Sequence, residues 1–371
     1  MLPNENYHSS FYDIALTFVP EVGVKTARIL LARFGNAEAV FKASLTELKK
    51  INGIGETRAK NFKEKIVFEL AEKELKFSEK NNIRLLLFSS SDYPKRLRHC
   101  EDAPSLLYYK GNADLNSAKI ISIIGTRKST DYGQRATEHL IEQLKATEDL
   151  IIISGLAAGI DAIAHRTALK NNLQTVGVLG HGLDRIYPFT NKSLAEDMMK
   201  HGGLLTEFPS DTKPDRQNFP VRNRIVAGMS DATIIVESEV KGGAMITAYL
   251  ALSYNRDVAA VPGRIFDSKS SGPNHLIKRN MAVSVTSGED ILELMGWDNA
   301  VVHKTSQKKL FIELSENEQA IVNLLQDKDK LHADELLLHT SLKSSELAAT
   351  LLQLEMQGII KSLPGKYYRM N

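Results

Sequence analysis

The sequence predicts an α/β protein: a doubly wound, mainly parallel sheet, flanked by an all-helical N-terminal domain and a C-terminal domain of three helices and a hairpin. Three observations carry this. From residue 119 to residue 263 near-continuous apolar runs alternate with helical patterns, which is how parallel strands covered on both faces read. Residues 11–80 keep helical spacing throughout. After residue 313 three helical segments lead into IIKSLPGKYYRM, which turns at Pro364-Gly365.

At 371 residues the chain is long enough for two or three domains. The boundaries expected are 1–80 for the helical domain, 81–298 for the sheet core, 299–312 for a polar linker and 313–371 for the last domain. With 43% hydrophobic and 25% charged residues, a sizeable core is possible and wholesale disorder is excluded. A net charge of +2 neither demands nor excludes a polyanionic partner, so local clustering must decide. The single cysteine, Cys100, excludes a disulfide framework and a cysteine-based metal cluster, and suits the reducing cytoplasm. No stretch has the form of a signal peptide or a membrane span, so no membrane partner is expected.

In the helical domain Pro20 ends a first helix, and Gly23 and Gly35 bracket a second. Two segments then repeat one pattern: VPEVGVKTARILLARFG and INGIGETRAKNFKEKI. They resemble the helix–hairpin–helix repeat of DNA-binding proteins, in which hairpin glycines let backbone N–H groups approach a phosphate. The second copy is the better match. It has Gly53 and Gly55 in place, with Arg58 and Lys60 beside them as secondary candidates for DNA contact. The first has Val24-Lys25 where the second glycine belongs. The other reading of this region is a small helical domain with a solvated basic face.

Two apolar strands, Arg84–Phe88 and Ser105–Tyr109, add to the edge of the following sheet. Further strands are expected at IISIIG, DLIIISG, TVGVLG, LLTEF, ATIIVES and DVAAVPG. Helices lie between them, at YGQRATEHLIEQLKAT, GIDAIAHRTALKN, NKSLAEDMMKHG, FPVRNRIVAGMS and MITAYLALSYN. In the last domain a capping-box pair, Ser315 and Glu318, starts the first helix. Three helices and a hairpin make a winged-helix pattern. Its third helix, SSELAATLLQLEMQ, has few basic side chains to meet phosphate, so a packing or protein-contact role is the favoured reading.

Ligands of such sheets bind at the carboxyl ends of the strands, and the glycines gather there. Gly125-Thr126-Arg127 follows one strand and Ser154-Gly155-Leu-Ala-Ala-Gly159 the next; Gly180-His181-Gly182 and Lys241-Gly242-Gly243 follow later ones. Phe219-Pro-Val-Arg222-Asn223-Arg224 sets basic side chains beside an aromatic ring. Free backbone N–H groups at helix starts and fixed guanidinium forks are anion ligands. No G-x-G-x-x-G and no G-x-x-x-x-G-K-[ST] occurs, so neither a dinucleotide nor a P-loop nucleotide is indicated. Several anion-ready turns beside a ring suit an extended phosphate backbone, with Phe219 available to stack on a base. Catalysis has weaker candidates. Asp161 and His165 share a helix face, and Asp184 and Glu237 end strands, but no nucleophile–base pair or metal-ligand cluster is spaced for chemistry.

In order, IIGTRKSTDYG, SGLAAGIDAIAHRTAL, TVGVLGHGLDRIYP, GGLLTEFP, FPVRNRIVAGMSDATIIVES, KGGAMITAYLA, RDVAAVPG and GPNHLIKRNMA resemble the DNA-processing protein A (DprA/Smf) family over about residues 83–295. The resemblance implies an extended Rossmann core that binds single-stranded DNA without sequence preference. It implies a cytoplasmic, non-enzymatic mediator, commonly a homodimer, with no cofactor. Such a protein protects incoming strands in natural transformation, loads RecA recombinase and helps displace single-strand-binding protein. By motif, the phosphate pocket it implies comprises Arg127, Ser154, Gly155, Phe219, Arg222, Asn223, Arg224, Lys241, Gly242 and Gly243. Two departures stand out. Gly243-Ala244 replaces the Gly-Ser that often ends this motif's Lys-Ser-Gly-Ser, and Gly242 its first serine. His181 occupies the middle of a Gly-x-Gly turn. Two other functions compete. The LOG nucleoside-monophosphate phosphoribohydrolases share this kind of core, but KGGAMITAYLA matches their P-G-G-x-G-T-x-x-E run only at its two glycines. A winged-helix interaction scaffold is the other.

Overall fold

A computed structural model describes residues 10–297 and 314–371, residues 327 and 329 excepted. The linker expected at 299–312 lies outside the described residues. Nine strands form the main sheet: β1 Arg84–Leu87, β2 Leu106–Gly111, β3 Lys119–Ile124, β4 Leu150–Ser154, β5 Gln174–Val178, β6 Gly202–Thr206, β7 Ala232–Ile235, β8 Asp257–Ala260 and β9 Val283–Ser284. Their order is β1-β2-β6-β5-β4-β3-β7-β8-β9. β1 and β2 run antiparallel to each other and β2 antiparallel to β6; the other neighbours are parallel.

The central strands are apolar because both faces are covered. Along β3, Ile120 and Ile124 enter one core with the helices Asn218–Met229 and Gly243–Ser253. Ile121 and Ile123 enter the opposite core with Asp131–Gln143 and Ile160–Lys170. That is the two-residue period of a strand. At the antiparallel edge the same alternation docks the helical domain. Leu106 and Tyr108 of β2 pack among its side chains, while Leu107 and Tyr109 face the sheet core.

In the helical domain Val24–Phe34 ends at Gly35, whose φ of 88° requires glycine, and Glu56–Asn61 starts after Gly55. Three helices of the core were not expected from the sequence: Lys95–Arg98, Ser271–Lys278 and Gly288–Met295. The second carries Gly272-Pro273 in its first turn, a pair that reads locally as a loop although proline is tolerated there. β9, two residues long, is too short to show a period.

The last domain has helices Glu316–Gln326, Ala333–His339 and Ser344–Met356. Its strands are β10 Leu331–His332, β11 Ile360–Leu363 and β12 Tyr367–Met370, in the order β10-β12-β11 around a core of its own. Ser315 and Glu318 form the expected capping box: the Ser315 N–H donates to Glu318 Oε2 at 2.8 Å and the Glu318 N–H to Ser315 Oγ at 3.4 Å. This domain rests on the amino-terminal ends of the core strands. Lys366 Nζ donates to Asn255 Oδ1, two residues before β8, at 2.6 Å, and the His332 ring stacks on His99 at 6.1 Å.

Candidate functional site

β3 has β4 on one side and β7 on the other, so the chain leaves these two central strands in opposite directions. The crevice where the direction switches, at the carboxyl ends, is where doubly wound sheets bind ligands. A cavity of about 420 Å³ lies there. Gly125-Thr126-Arg127 from β3, Gly155 from β4 and Gly242-Gly243 after β7 line it, with Phe219, Arg222 and Asn223 from the helix Asn218–Met229.

The turn after β3 is held by Glu237. Its carbonyl accepts the Thr126 N–H at 2.7 Å, and its carboxylate accepts the Thr130 N–H at 3.0 Å together with the Thr130 hydroxyl. Thr130 in turn caps the helix Asp131–Gln143 through the Gly133 N–H. A Cβ at Gly133 would collide with the Glu237 carboxylate, so the closeness of this latch requires glycine there. Glu237 is thus a structural carboxylate with its acceptors occupied, not an idle base.

Beneath the turn the guanidinium of Arg222 lies against the Gly155 backbone, where any Cβ would overlap Nη1. Arg222 is buried and donates from Nη1 to the Val178 carbonyl at 2.7 Å, while its Nε has no partner among the described residues. Burial lowers its pKa to about 10; nearby Asp161 opposes that shift, and Arg127 adds to it. Asp161 accepts the Gly155 N–H at 3.1 Å and the Ala157 N–H at 3.4 Å. Burial raises its carboxyl pKa, against the pull of Arg222. The floor is therefore a fixed positive fork with one carboxylate bound into the turn beside it.

The rim is wetter. Arg127 is exposed and holds its guanidinium 5.0 Å from the centre of the Phe219 ring. Gly243 opens the helix Gly243–Ser253 with no atom within 4 Å of where a Cβ would stand, so its backbone is bare to the cavity. Unpaired N–H groups at such a helix start favour an anion.

Not all the residues expected at this site meet there. Ser154 is fully buried and its hydroxyl donates backwards to the Ile123 carbonyl at 2.7 Å. Arg224 points away from the cavity, donating to the Asp102 carbonyl at 2.7 Å and to the Glu207 carboxylate. Lys241 is exposed on its turn outside the lining. Gly53, Gly55, Arg58 and Lys60 belong to the helical domain and do not line the cavity. Arg58 is engaged by the Gly53 carbonyl at 2.6 Å and by Glu21 at 3.1 Å, and Lys60 by Glu56 at 3.0 Å. Conversely, Arg216 and Lys269 line the cavity and were not anticipated; Lys269 pairs with Glu239 at 2.6 Å. The rule that ligands meet loops after strands would have found Lys269, which lies in the loop after β8.

The catalytic candidates are otherwise engaged. His165 Nδ1 bonds Thr175 Oγ1 at 2.6 Å, and burial lowers its pKa to about 3. Asp184 binds Arg185 through Nε at 2.8 Å and accepts the Asp211 N–H at 3.2 Å. His181 bonds the Gly182 carbonyl at 2.9 Å, and burial moves its pKa down, away from the charged form a phosphate would select. Among the described residues no cluster of His, Cys, Asp or Glu is built to hold a metal ion, and no helix is long and apolar enough to cross a membrane.

Comparison with known proteins agrees with this architecture. Residues 84–296 match the family model of DNA recombination-mediator protein A, residues 311–366 that of the DprA winged helix domain and residues 15–66 a helix-hairpin-helix motif. The chain is similar to the DNA processing protein DprA of Bacillus subtilis, with 42% identity over 212 residues, 57% of this chain and 71% of the relative. Among solved structures it is similar to DNA processing protein A of Streptococcus pneumoniae, with a TM-score of 0.68 and 32% identity over 76% of this chain and 97% of that one. DNA processing protein A of Helicobacter pylori, described for its single-stranded DNA binding mode, is similar at a TM-score of 0.52 and 30% identity, covering 57% of this chain and 94% of that one. A doubly wound core with its glycine turns at the switch point, between a helix-hairpin-helix domain and a winged helix, makes this chain a member of the DNA recombination-mediator protein A (DprA/Smf) family.

Proposed function

We propose that the chain binds single-stranded DNA in the switch-point cleft, without sequence preference and without chemistry, and acts as a mediator of recombination. The observation that carries this is Arg127 poised over Phe219 beside the bare helix start at Gly243. A cation and free N–H groups take phosphate oxygens, and a ring takes a base face. Only an unpaired strand offers both at once, because a duplex keeps its base faces stacked inside. The carboxylates of the site are committed to backbone N–H groups or cations, which supports a binding role over a hydrolytic one. The same reading extends to protection of incoming strands in natural transformation and loading of RecA by a cytoplasmic homodimer. Displacement of single-strand-binding protein belongs to it too.

The test is a titration with single- and double-stranded oligonucleotides at two salt concentrations. Single strands bind more tightly, and affinity falls steeply with salt. Arg127→Ala lowers affinity about tenfold and reduces the salt slope by about one. Unchanged affinity in both Arg127→Ala and Lys241→Ala would refute the assignment of the cleft. Release of free base from nucleoside monophosphates would instead establish a phosphoribohydrolase.

A further inference from the structure

The loop after β5 carries two rings with no cover from the rest of the described chain. Tyr187 is 46% exposed and Phe189 76% exposed. They do not stand apart from the cleft. The Tyr187 ring leans on Phe219 with centroids 6.0 Å apart at 34°, and Phe219 is the ring under Arg127. Beyond it, Lys192 holds its ammonium 5.8 Å from the Phe189 ring. The loop is anchored at both ends. Asn191 is buried and donates to the Leu156 carbonyl at 3.0 Å, and the Gly182 N–H donates to the Thr212 carbonyl at 3.2 Å. Exposed rings on an anchored loop are set in place before any ligand arrives, so little order is lost on binding.

We infer that the strand leaves the cleft over this loop, with successive bases stacked on Tyr187 and Phe189 and a backbone phosphate held by Lys192. This inference rests on the strand-binding reading of the cleft and names the path beyond it. Tyr187 and Phe219 form a platform and not a clamp. A base between two rings needs about 7 Å, twice the stacking distance of about 3.4 Å, and the two rings are closer than that. Each ring therefore offers one outer face. Such stacking tolerates any base, in keeping with binding that ignores sequence. The order is one cation, three rings and a second cation: Arg127, then Phe219, Tyr187 and Phe189, then Lys192, so the rings offer faces to bases between two cations that can each take a phosphate. In the loop after β8, Phe266 is 93% exposed but has no ring or cation contact that links it to the cleft among the described residues.

The experiment compares the full chain with its Tyr187→Ala/Phe189→Ala variant on oligothymidylates of about 6 and about 20 nucleotides, lengths that bracket a single binding site. The variant loses at least about tenfold in affinity for the long strand and little for the short one. Tyr187→Leu/Phe189→Leu, which keeps apolar bulk without a flat π face, loses as much. An equal loss on both lengths, no loss on the long strand, or the same loss from Phe266→Ala alone overturns the inference. So does an unchanged DNA affinity with an altered molar mass in light scattering, which would make the loop a protein contact. Failure of the unaltered chain to bind either length defeats the underlying reading instead.

Discussion

His165 shows how closely a single buried ring is specified. The Thr175 hydroxyl donates to the Ile152 carbonyl at 2.8 Å, so His165 Nδ1 must be the donor in its bond to Thr175. Nε2 is then a lone pair in the core with no partner among the described residues. Protonating it would bury a charge with no acceptor, which is why the folded pKa falls to about 3 from an ordinary 6.5. The sign follows from proton uptake. Between those values the unfolded chain binds the proton and the folded chain does not, so the stability is fully present above about pH 6.5 and declines as pH falls towards 3. Burial shifts His99 and His181 the same way, whereas Glu207, raised to about 6, favours folding as it protonates. Comparison with a variant isolates the one ring. Unfolding free energies from urea titrations between pH 7 and pH 4.5 should fall less steeply for His165→Gln than for the unaltered chain, by up to about 1.4 kcal/mol per pH unit. Parallel curves would show that this ring does not set the dependence.

Among the elements, the helix Gly243–Ser253 separates folding from binding most cleanly. At Gly242 a side chain would strike Ser238 and the Glu239 carbonyl, whereas at Gly243 it meets open space. Alanine is also the better helix former, by up to about 1 kcal/mol in a helix interior and less in this first turn. Gly243→Ala should therefore leave the melting temperature unchanged or slightly raised. The added methyl stands where a phosphate would approach the bare N–H groups, so single-strand affinity should drop severalfold. Calorimetry and an oligonucleotide titration on the same sample check both halves. A stable variant of full affinity would mean that phosphate is held elsewhere on the rim.

For the whole molecule, the sheet puts the cleft and the winged-helix domain at opposite ends. The cleft lies at the carboxyl ends of β3, β4 and β7, while the winged-helix domain rests near the amino ends of β7 and β8, through Lys366 on Asn255 and His332 on His99. Nothing in this arrangement places the winged helix over the cleft. Deleting residues 305–371 should change single-strand affinity by less than about twofold, well inside the tenfold steps that remove a real contact. The proposed RecA loading, measured separately on the full and the truncated chain, then reports whether the domain serves that proposed partner and not the DNA. A large loss of affinity on deletion would reassign the domain to strand binding.

Strand runs, glycine turns, the capping box at Ser315 and the ordered family motifs were all legible in the sequence, because they are local: period, propensity and turn chemistry act over a few residues. Which basic residues face the cleft was not local. Arg222 and Arg224 sit two positions apart, about 200° around one helix, so only one of them can face the cavity. Arg222 lies under Gly155, and Arg224 turns to Glu207 and Asp102. Arg216, just ahead of the helix that crosses from β6 to β7, and Lys269, in the loop after β8, are distant in the chain and reach the same rim only through the order of the strands in the sheet. The sequence by itself determined the fold, the family and the turns. The tertiary structure alone decided which charges meet, since the direction of a side chain and the neighbour it finds depend on the packing of elements that no short window contains.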